Sequence, residues 1–327
     1  MAALDKAEAL LNALSNEQPR TAAVLTQQGW VQADRWLLHA DNVDSSKANT
    51  QARSYFDAAL AIDPTLVEAK LGRLVTIKSE AYDLIWAADK PAAALPLVKQ
   101  ALVDLRAQSW PTPLRPHRQM LEIQLLNRIG DAIYYSGDIA GSLAPYRQAD
   151  ALVDARIAED GAVPQWLILR GENAFNISGT LGEMPGRSEE AFSAAKRGEV
   201  ALKQLLDFGP DAAAEKKLLV LYGQEALLLE QQGRIKEALV PSRASVALRQ
   251  RRLQNAPGDP QRMRDLAIGL APNAALLGRA GLKGQACSAA EQAVATWQSI
   301  EAQGRLRALV ARKNVPKAKA LAAQLCG

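Results

Sequence analysis

Small residues recur at a nearly constant spacing along this chain, and that repetition constrains the fold more than any other feature of the sequence. Successive members of the series lie 42 to 49 residues apart. A period of this length indicates stacked structural units, each too small to bury its own apolar face. The sequence therefore predicts a repeat protein. The six positions are Ala59, Ala101, Ala149, Gly198, Ser245 and Ala293.

The clearest unit covers residues 126–149 and predicts two helices joined by a tight turn. Ile129 and Ile133 lie at helical spacing on one apolar face. Gly137 ends this first helix, and Asp138 can cap the next one. The unit is thus a pair of antiparallel helices.

The second helix of a pair carries a small, a large and a small residue at offsets of four and three. Small side chains let paired helices approach closely, and the large aromatic side chain fills the space left between them. The order therefore predicts close helix packing. It occurs at Ser142, Tyr146 and Ala149, and again at Ala52, Phe56 and Ala59.

This packing order resembles the tetratricopeptide repeat family. Asp63 and Pro64 follow the second helix, and Trp36 lies on the preceding helix, where the family usually carries a large aromatic residue. The family's usual unit has about 34 residues, and the longer period here overlaps that of HEAT repeats. The packing order and the Asp-Pro pair favour the tetratricopeptide interpretation. The resemblance implies an all-α, right-handed superhelical solenoid of antiparallel helix pairs.

The domain prediction is a single array covering residues 1–327, with about six helical pairs. Residues 4–14 would stack at one end, and residues 303–327 would form a C-terminal capping helix. Hydrophobic residues make up 48% of the chain and aromatic residues only 5%. Runs of alternating β-branched residues are scarce, which argues against strands.

The charge distribution does not favour nucleic acid as a partner. The chain has 39 basic and 35 acidic residues, a net charge of +4. A local basic cluster is interpreted as the solvated end of a helix, since no aromatic residues alternate with it for base stacking. Its members are Arg249, Arg251, Arg252, Arg262 and Arg264.

The sequence contains no apolar run of the length that spans a bilayer and no visible signal peptide. The first residues could be a native start or the edge of an excised domain. A cytoplasmic location would fit the first case, and a periplasmic one would fit the second if the two cysteines form a disulfide.

The two cysteines fall at facing positions of a predicted helical hairpin. Cys287 opens one helix, Cys326 closes the last, and the midpoint between them lies inside the predicted turn at residues 303–314. A disulfide at the open end of the hairpin is therefore geometrically plausible and would imply an oxidising compartment. The alternative is two small apolar thiols that pack separately.

Catalytic and metal-binding signals are weak. The chain has only two histidines, and it lacks nucleophile-elbow, phosphate-loop and zinc-helix motifs. The sequence therefore predicts no enzyme activity, no catalytic residue, no metal site and no cofactor.

The family resemblance implies a binding groove lined by the first helix of each pair. Asparagine amides can hydrogen-bond both groups of a peptide backbone, and aromatic side chains supply contact area. The ligand would be a protein or peptide segment, basic or neutral in charge. Residues implied at the groove are Tyr82, Asp83, Trp86, Asn127, Asp131, Tyr134, Tyr135, Glu172, Asn173 and Asn176.

The sequence thus favours a non-enzymatic scaffold that binds a protein or peptide in a concave groove. A second hypothesis is a ligand-sensing or docking domain of a larger protein. Residues 259–297 look like the C-terminal repeat arrays attached to some bacterial transcription regulators and serine/threonine kinases.

Overall fold

The computed structural model describes residues 2–17, 21–39, 45–304 and 308–327, and within these ranges the chain is helical and contains no strand. The all-α fold predicted from the repeat pattern is confirmed. A 3-10 turn covers Thr112–Leu114. The α-helices are α1 (Ala2–Glu17), α2 (Ala22–His39), α3 (Ser45–Ile62), α4 (Val67–Trp86), α5 (Pro91–Ala107), α6 (Arg115–Tyr135), α7 (Ile139–Asp160), α8 (Pro164–Gly182), α9 (Ser188–Asp207), α10 (Ala212–Gln231), α11 (Ile235–Gln254), α12 (Pro260–Arg279), α13 (Lys283–Ala302) and α14 (Ala308–Cys326).

The chain divides into two compact units, residues 1–152 and residues 153–327, with the boundary inside α7. Within each unit, each described helix packs extensively only on helices that are one or two places away along the chain. In the first unit α2 packs on α3 and α4, and α4 packs on α5 and α6. In the second unit α8 packs on α9 and α10, and α12 packs on α13 and α14.

Short turns with a left-handed glycine reverse the chain inside several pairs. Gly137, between α6 and α7, has a φ of 96°, which costs a residue without a Cβ little. Its N–H donates to Tyr134 O and the N–H of Asp138 donates to Ile133 O, the hydrogen-bond pattern of a Schellman motif. Asp138 then caps α7 by accepting a hydrogen bond from Gly141 N at 2.8 Å. The turn and cap predicted from the sequence are both present.

The packing inside a pair depends on glycine facing a large side chain. Phe56 of α3 is fully buried between Gly29 of α2 and Gly72 of α4. A Cβ at Gly72 would lie 2.3 Å from the Phe56 ring, and one at Gly29 would lie 2.6 Å from it. Tyr146 of α7 occupies the same kind of position against Gly130 of α6, at 2.4 Å from an added Cβ. The large residue of the predicted small–large–small order therefore makes the contact that joins the helices. This residue is Phe56 in α3 and Tyr146 in α7.

The helices bury one face and expose the other. In α9, buried residues at three- and four-residue spacing include Ala191, Ala195, Gly198 and Leu202, whereas Val200 on the opposite face is 64% exposed. The six recurring small residues lie on α3, α5, α7, α9, α11 and α13, and all are buried. Among the described helices, none is at once long and apolar enough to span a membrane.

The C-terminal helix α14 is held to α13 by apolar packing and by a disulfide. Trp297 and Val315 belong to one buried cluster that joins the two helices. Cys287, in the second turn of α13, and Cys326, the last residue of α14, form a disulfide with a Cα–Cα distance of 4.8 Å. The facing arrangement deduced from the midpoint of the hairpin is the one observed.

Candidate functional site

Five aromatic side chains form a continuous row of ring contacts in the first unit, on α2, α4 and α6. Trp36 contacts Tyr82 with ring centroids 5.5 Å apart, and Tyr82 contacts Trp86 at 4.4 Å. Trp86 contacts Tyr135 at 5.7 Å, and Tyr135 contacts Tyr134 at 5.1 Å. These five residues are called the aromatic row below. They meet because α4 packs against both α2 and α6.

Two cations lie on the faces of these rings. The Arg128 guanidinium is 4.7 Å from the Trp86 centroid and 5.5 Å from that of Tyr82. The Lys78 ammonium is 5.7 Å from the Trp36 ring. Arg128 also pairs with Asp131, with Nη1 at 2.7 Å from Oδ2. Because the negative face of an aromatic ring attracts a cation, these contacts help to hold Arg128 and Lys78 against the row.

The aromatic row is buried at one end and open at the other. Trp36 is 5% exposed, while Trp86 is 39% and Tyr135 is 52% exposed. The Trp36 Nε1 donates a hydrogen bond to Asp83 at 3.4 Å, and burial raises the pKa of the Asp83 carboxyl above its usual value. Trp86 and Tyr135, the last residues of α4 and α6, are therefore the part of the row that a partner can reach.

Two residues expected in the groove of the first unit are instead buried. Asn127 is fully buried and Asp131 is 4% exposed. Asp131 accepts a hydrogen bond from the Tyr146 hydroxyl at 2.7 Å, so it holds α7 against α6. The expectation that these two side chains contact a ligand directly is corrected, because their positions on α6 face the neighbouring helices.

The residues expected in the groove of the second unit lie on α8 and have different environments. Asn173 is fully buried, which corrects the expectation that it contacts a ligand. Glu172 is half-buried and pairs with Lys217 of α10 at 2.9 Å. Asn176 is partly exposed. Of the three, only Asn176 and the outer edge of Glu172 can be reached from solvent.

The second unit contains a buried pair of carboxyl groups that the sequence analysis did not identify. Glu199 of α9 is 5% exposed and Glu225 of α10 is 1% exposed. Lys196 contacts both, hydrogen-bonding Glu199 and lying 3.2 Å from Glu225. Lys203 adds a second contact to Glu199, at 2.5 Å. The four side chains form a charged cluster between α9 and α10.

The two carboxyl groups of this cluster are shifted in opposite directions. Burial and the nearby charge of Glu199 raise the pKa of Glu225 to about 7, with Lys196 opposing the shift. Burial also penalises ionised Glu199, but hydrogen bonds from Lys196 and Lys203 outweigh it and hold the pKa of Glu199 below its usual value. Glu225 therefore changes charge near neutral pH while Glu199 stays ionised.

Replacing Glu225 by glutamine should make the stability of the protein less sensitive to pH between 4.5 and about 7. A carboxyl group whose pKa is raised in the folded state binds more protons there than in the unfolded chain, so its contribution to stability falls as pH rises from 4.5 through about 7. The unfolding free energy of Glu225→Gln relative to wild type should rise by about 3 kcal/mol across this range. Denaturant melts at a series of pH values measure it.

Glu189→Gln, at an exposed position near the start of α9, is the matched control for the loss of a glutamate charge. An equal pH dependence in wild type and Glu225→Gln would show that Glu225 does not titrate as described.

The basic cluster noted in the sequence joins α11 to α12. Arg249 Nε donates to the backbone oxygen of Asp265 at 2.9 Å, and Arg262 Nη1 donates to that of Arg252 at 2.5 Å. Burial lowers the pKa of Arg249 below its usual value. The interpretation of Arg249 and Arg262 as part of a solvated helix end is corrected, because the guanidinium group of each hydrogen-bonds to the backbone of the other helix.

Sequence reasoning missed the cations of the aromatic row and the buried carboxyl pair, although a local signal exists for the cations. Lys78 lies one helical turn before Tyr82, and Arg128 lies two turns before Tyr135, so each shares a helix face with an aromatic residue. The buried carboxyl pair has no comparable signal, because Glu225 meets Lys196 from another helix.

The fold and these sites together define a helical-repeat protein built from antiparallel helix pairs. No protein-family profile matches the chain, and no curated protein matches it. Among solved structures, it is similar to the human IFIT1 dimer with m7Gppp-AAAA, at 13% identity over 89% of this chain and 76% of that one, with a TM-score of 0.33. A monomeric IFIT1 mutant with Gppp-AAAA gives 14% identity over 89% and 75% of the two chains, with a TM-score of 0.30.

Proposed function

We propose that this chain is a non-enzymatic, tetratricopeptide-like scaffold that binds a protein or peptide segment on the aromatic row of its first unit. The single observation that carries the proposal is the accessible end of that row, where Trp86 and Tyr135 are in contact and both exposed. Large aromatic side chains in contact at a surface are the residues that most often dominate binding energy at interfaces.

The ligand segment that best fits this surface carries an arginine or an aromatic side chain. Arg128 stacks on Trp86 within the chain itself, so the ring face accepts a guanidinium at this position. A partner's planar side chain can use the ring surface that remains exposed on Trp86 and Tyr135. Asp83 lies beside the row together with the cations Lys78 and Arg128, so the exposed ring faces rather than net charge select the segment that we propose to bind there.

The proposal is tested by selecting peptides from a random displayed library on the wild-type protein and measuring their affinity for variants. Trp86→Ala should weaken binding of selected peptides about 30-fold, since a central aromatic residue contributes about 2 kcal/mol or more. Tyr135→Ala should weaken it in the same direction. Selected peptides should be enriched in arginine or aromatic residues.

Val103→Ala is the matched control, because Val103 is an apolar residue of the first unit that is 58% exposed on α5. It should leave affinity unchanged. Peptides that bind the Trp86→Ala/Tyr135→Ala double variant as tightly as wild type would overturn the proposal, provided that circular dichroism shows the same helicity.

A ligand-sensing regulatory role is the second candidate, and a cleft in the second unit favours it. This cleft, of about 750 Å³, lies among α11, α12 and α13 and is lined by Gln250, Gln254, Gln292 and Gln303, with Met263 among its apolar residues. Its volume suits a small molecule, and amide side chains can donate and accept hydrogen bonds. If no peptide is selected on the aromatic row and a neutral polar molecule raises the melting temperature, this role is favoured instead.

A further inference from the structure

Three metal-ligand atoms lie together where α13 meets the end of α14. The Sγ atoms of Cys287 and Cys326 and a carboxylate oxygen of Glu291 are all within 4.8 Å of one another. Cys287 and Glu291 are one helical turn apart on α13, so both side chains project from the same face. Glu291 and Cys326 are exposed, and Cys287 is partly buried, so an ion can reach the group from solvent.

We propose that reduction of the Cys287–Cys326 disulfide converts this corner of the fold into a zinc-binding site. The two thiolates and the Glu291 carboxylate supply three ligands, and water supplies the fourth. Thiolate sulfur and carboxylate oxygen are both ordinary zinc ligands, and a site with three protein ligands keeps one position open. Thiolates favour zinc over magnesium or calcium, which bind through oxygen.

The geometry requires only a local change in the cysteine side chains. Tetrahedral zinc with Zn–S distances of about 2.3 Å separates two sulfurs by about 3.8 Å. The Cα atoms of the two cysteines are 4.8 Å apart, so this separation can be reached by rotating the side chains. The Glu291 carboxylate oxygen lies within 4.8 Å of both sulfurs, and side-chain rotation would bring it to the O–S separation of about 3.5 Å around tetrahedral zinc.

Apolar packing keeps the two cysteines together when the disulfide is open. Ala286 and Leu325, the residues that precede Cys287 and Cys326, both belong to one apolar cluster with Leu276 and Leu277 of α12. Ala286 is fully buried in that cluster. Because these neighbours are fixed by packing, the ligands are pre-positioned in the reduced protein, which lowers the entropic cost of binding the ion.

The conversion needs a two-electron reductant, and its chemical class is a dithiol. One thiolate of the dithiol attacks a cystine sulfur, which forms a mixed disulfide and expels the other cysteine as a thiolate. The second thiolate of the dithiol then attacks the mixed disulfide, which expels the remaining cysteine and leaves the dithiol as a disulfide. Zinc binding displaces the two thiol protons to solvent. The same two sulfurs thus either form the disulfide or bind zinc, and they cannot do both at once.

The experiment measures the zinc affinity of oxidised and reduced protein by titration in competition with a chromophoric chelator. The reduced protein is first separated from the reductant under anaerobic conditions. Reduced wild type should bind one Zn²⁺, and Co²⁺ in its place should give a thiolate charge-transfer band. Glu291→Ala should weaken zinc affinity about 10-fold or more. Glu301→Ala, an exposed glutamate of the same helix, is the control and should not change it.

Two results would overturn the proposal. The first is that reduced wild-type protein binds zinc no more tightly than the Cys287→Ser/Cys326→Ser variant does. The second is equal affinity in wild type and Glu291→Ala, which would remove the carboxylate from the site. Glu291→Ala retains both cysteines, so its oxidised form serves as a check that the variant folds, measured by circular dichroism.

Discussion

Replacing Phe56 by alanine should lower the free energy of unfolding of the first unit by about 3–5 kcal/mol, as expected for removing a fully buried aromatic side chain. The phenyl ring lies against Gly29 and Gly72, which have no side chains to relax into the space. The loss therefore leaves a cavity between three helices. Urea denaturation followed by circular dichroism measures the change.

The same contact can be tested from its other side with Gly72→Ala. The added Cβ would lie 2.3 Å from the ring of Phe56, which is fully buried, so we expect a loss of about 1–3 kcal/mol. Gly223→Ala on α10 is the control, because a Cβ there meets no atom within 4 Å. It should be neutral or stabilise by up to about 1 kcal/mol. A Gly72→Ala protein as stable as Gly223→Ala would contradict the described packing.

Reduction of the disulfide should destabilise the second unit by about 4 kcal/mol in the chain-entropy account, since the bond closes a loop with a sequence separation of 39. The loss should be greatest at α14, which the bond holds to the start of α13. Chemical denaturation with and without reductant measures it, and amide hydrogen exchange locates it.

Cys287→Ser/Cys326→Ser is the control for this experiment, because reductant has no bond to open in it. It should melt at the same denaturant concentration with or without reductant, at the position of reduced wild type. If reductant leaves the unfolding midpoint of the wild-type protein unchanged, the disulfide contributes nothing to stability. These measurements are made without added zinc, so that metal binding does not offset the loss.

The helix pairs could be predicted from the sequence because the features that specify them are local. The spacing of Tyr146 and Ala149, the break at Gly137 and the cap at Asp138 all lie within a few residues of the contacts they make. Helical periodicity and turn chemistry are read over that range. Trp86 and Tyr135 are implied as groove residues by the family resemblance instead; both are exposed, and their role in binding stays a prediction.

The buried polar residues could not be predicted in the same way, because their partners come from another helix. Asp131 looks like a surface residue from its own helix, yet the Tyr146 hydroxyl donates to it. Glu225 is separated by 29 positions in the chain from Lys196, its ion-pair partner. Periodicity predicts which face of a helix is buried, but the pairing that makes a buried charge acceptable is set by tertiary contacts.

Among the described helices, extensive packing occurs only between helices that are one or two places apart along the chain. This pattern has a consequence for how the protein folds. Each pair finds most of its native contacts within a short stretch of chain, so little loop-closure entropy is lost before contacts stabilise it. During synthesis, α2, α3 and α4 can assemble as soon as they leave the ribosome, before α8 has been translated. Helix α14 packs on α12 and α13, which precede it in the chain and are therefore synthesised before it.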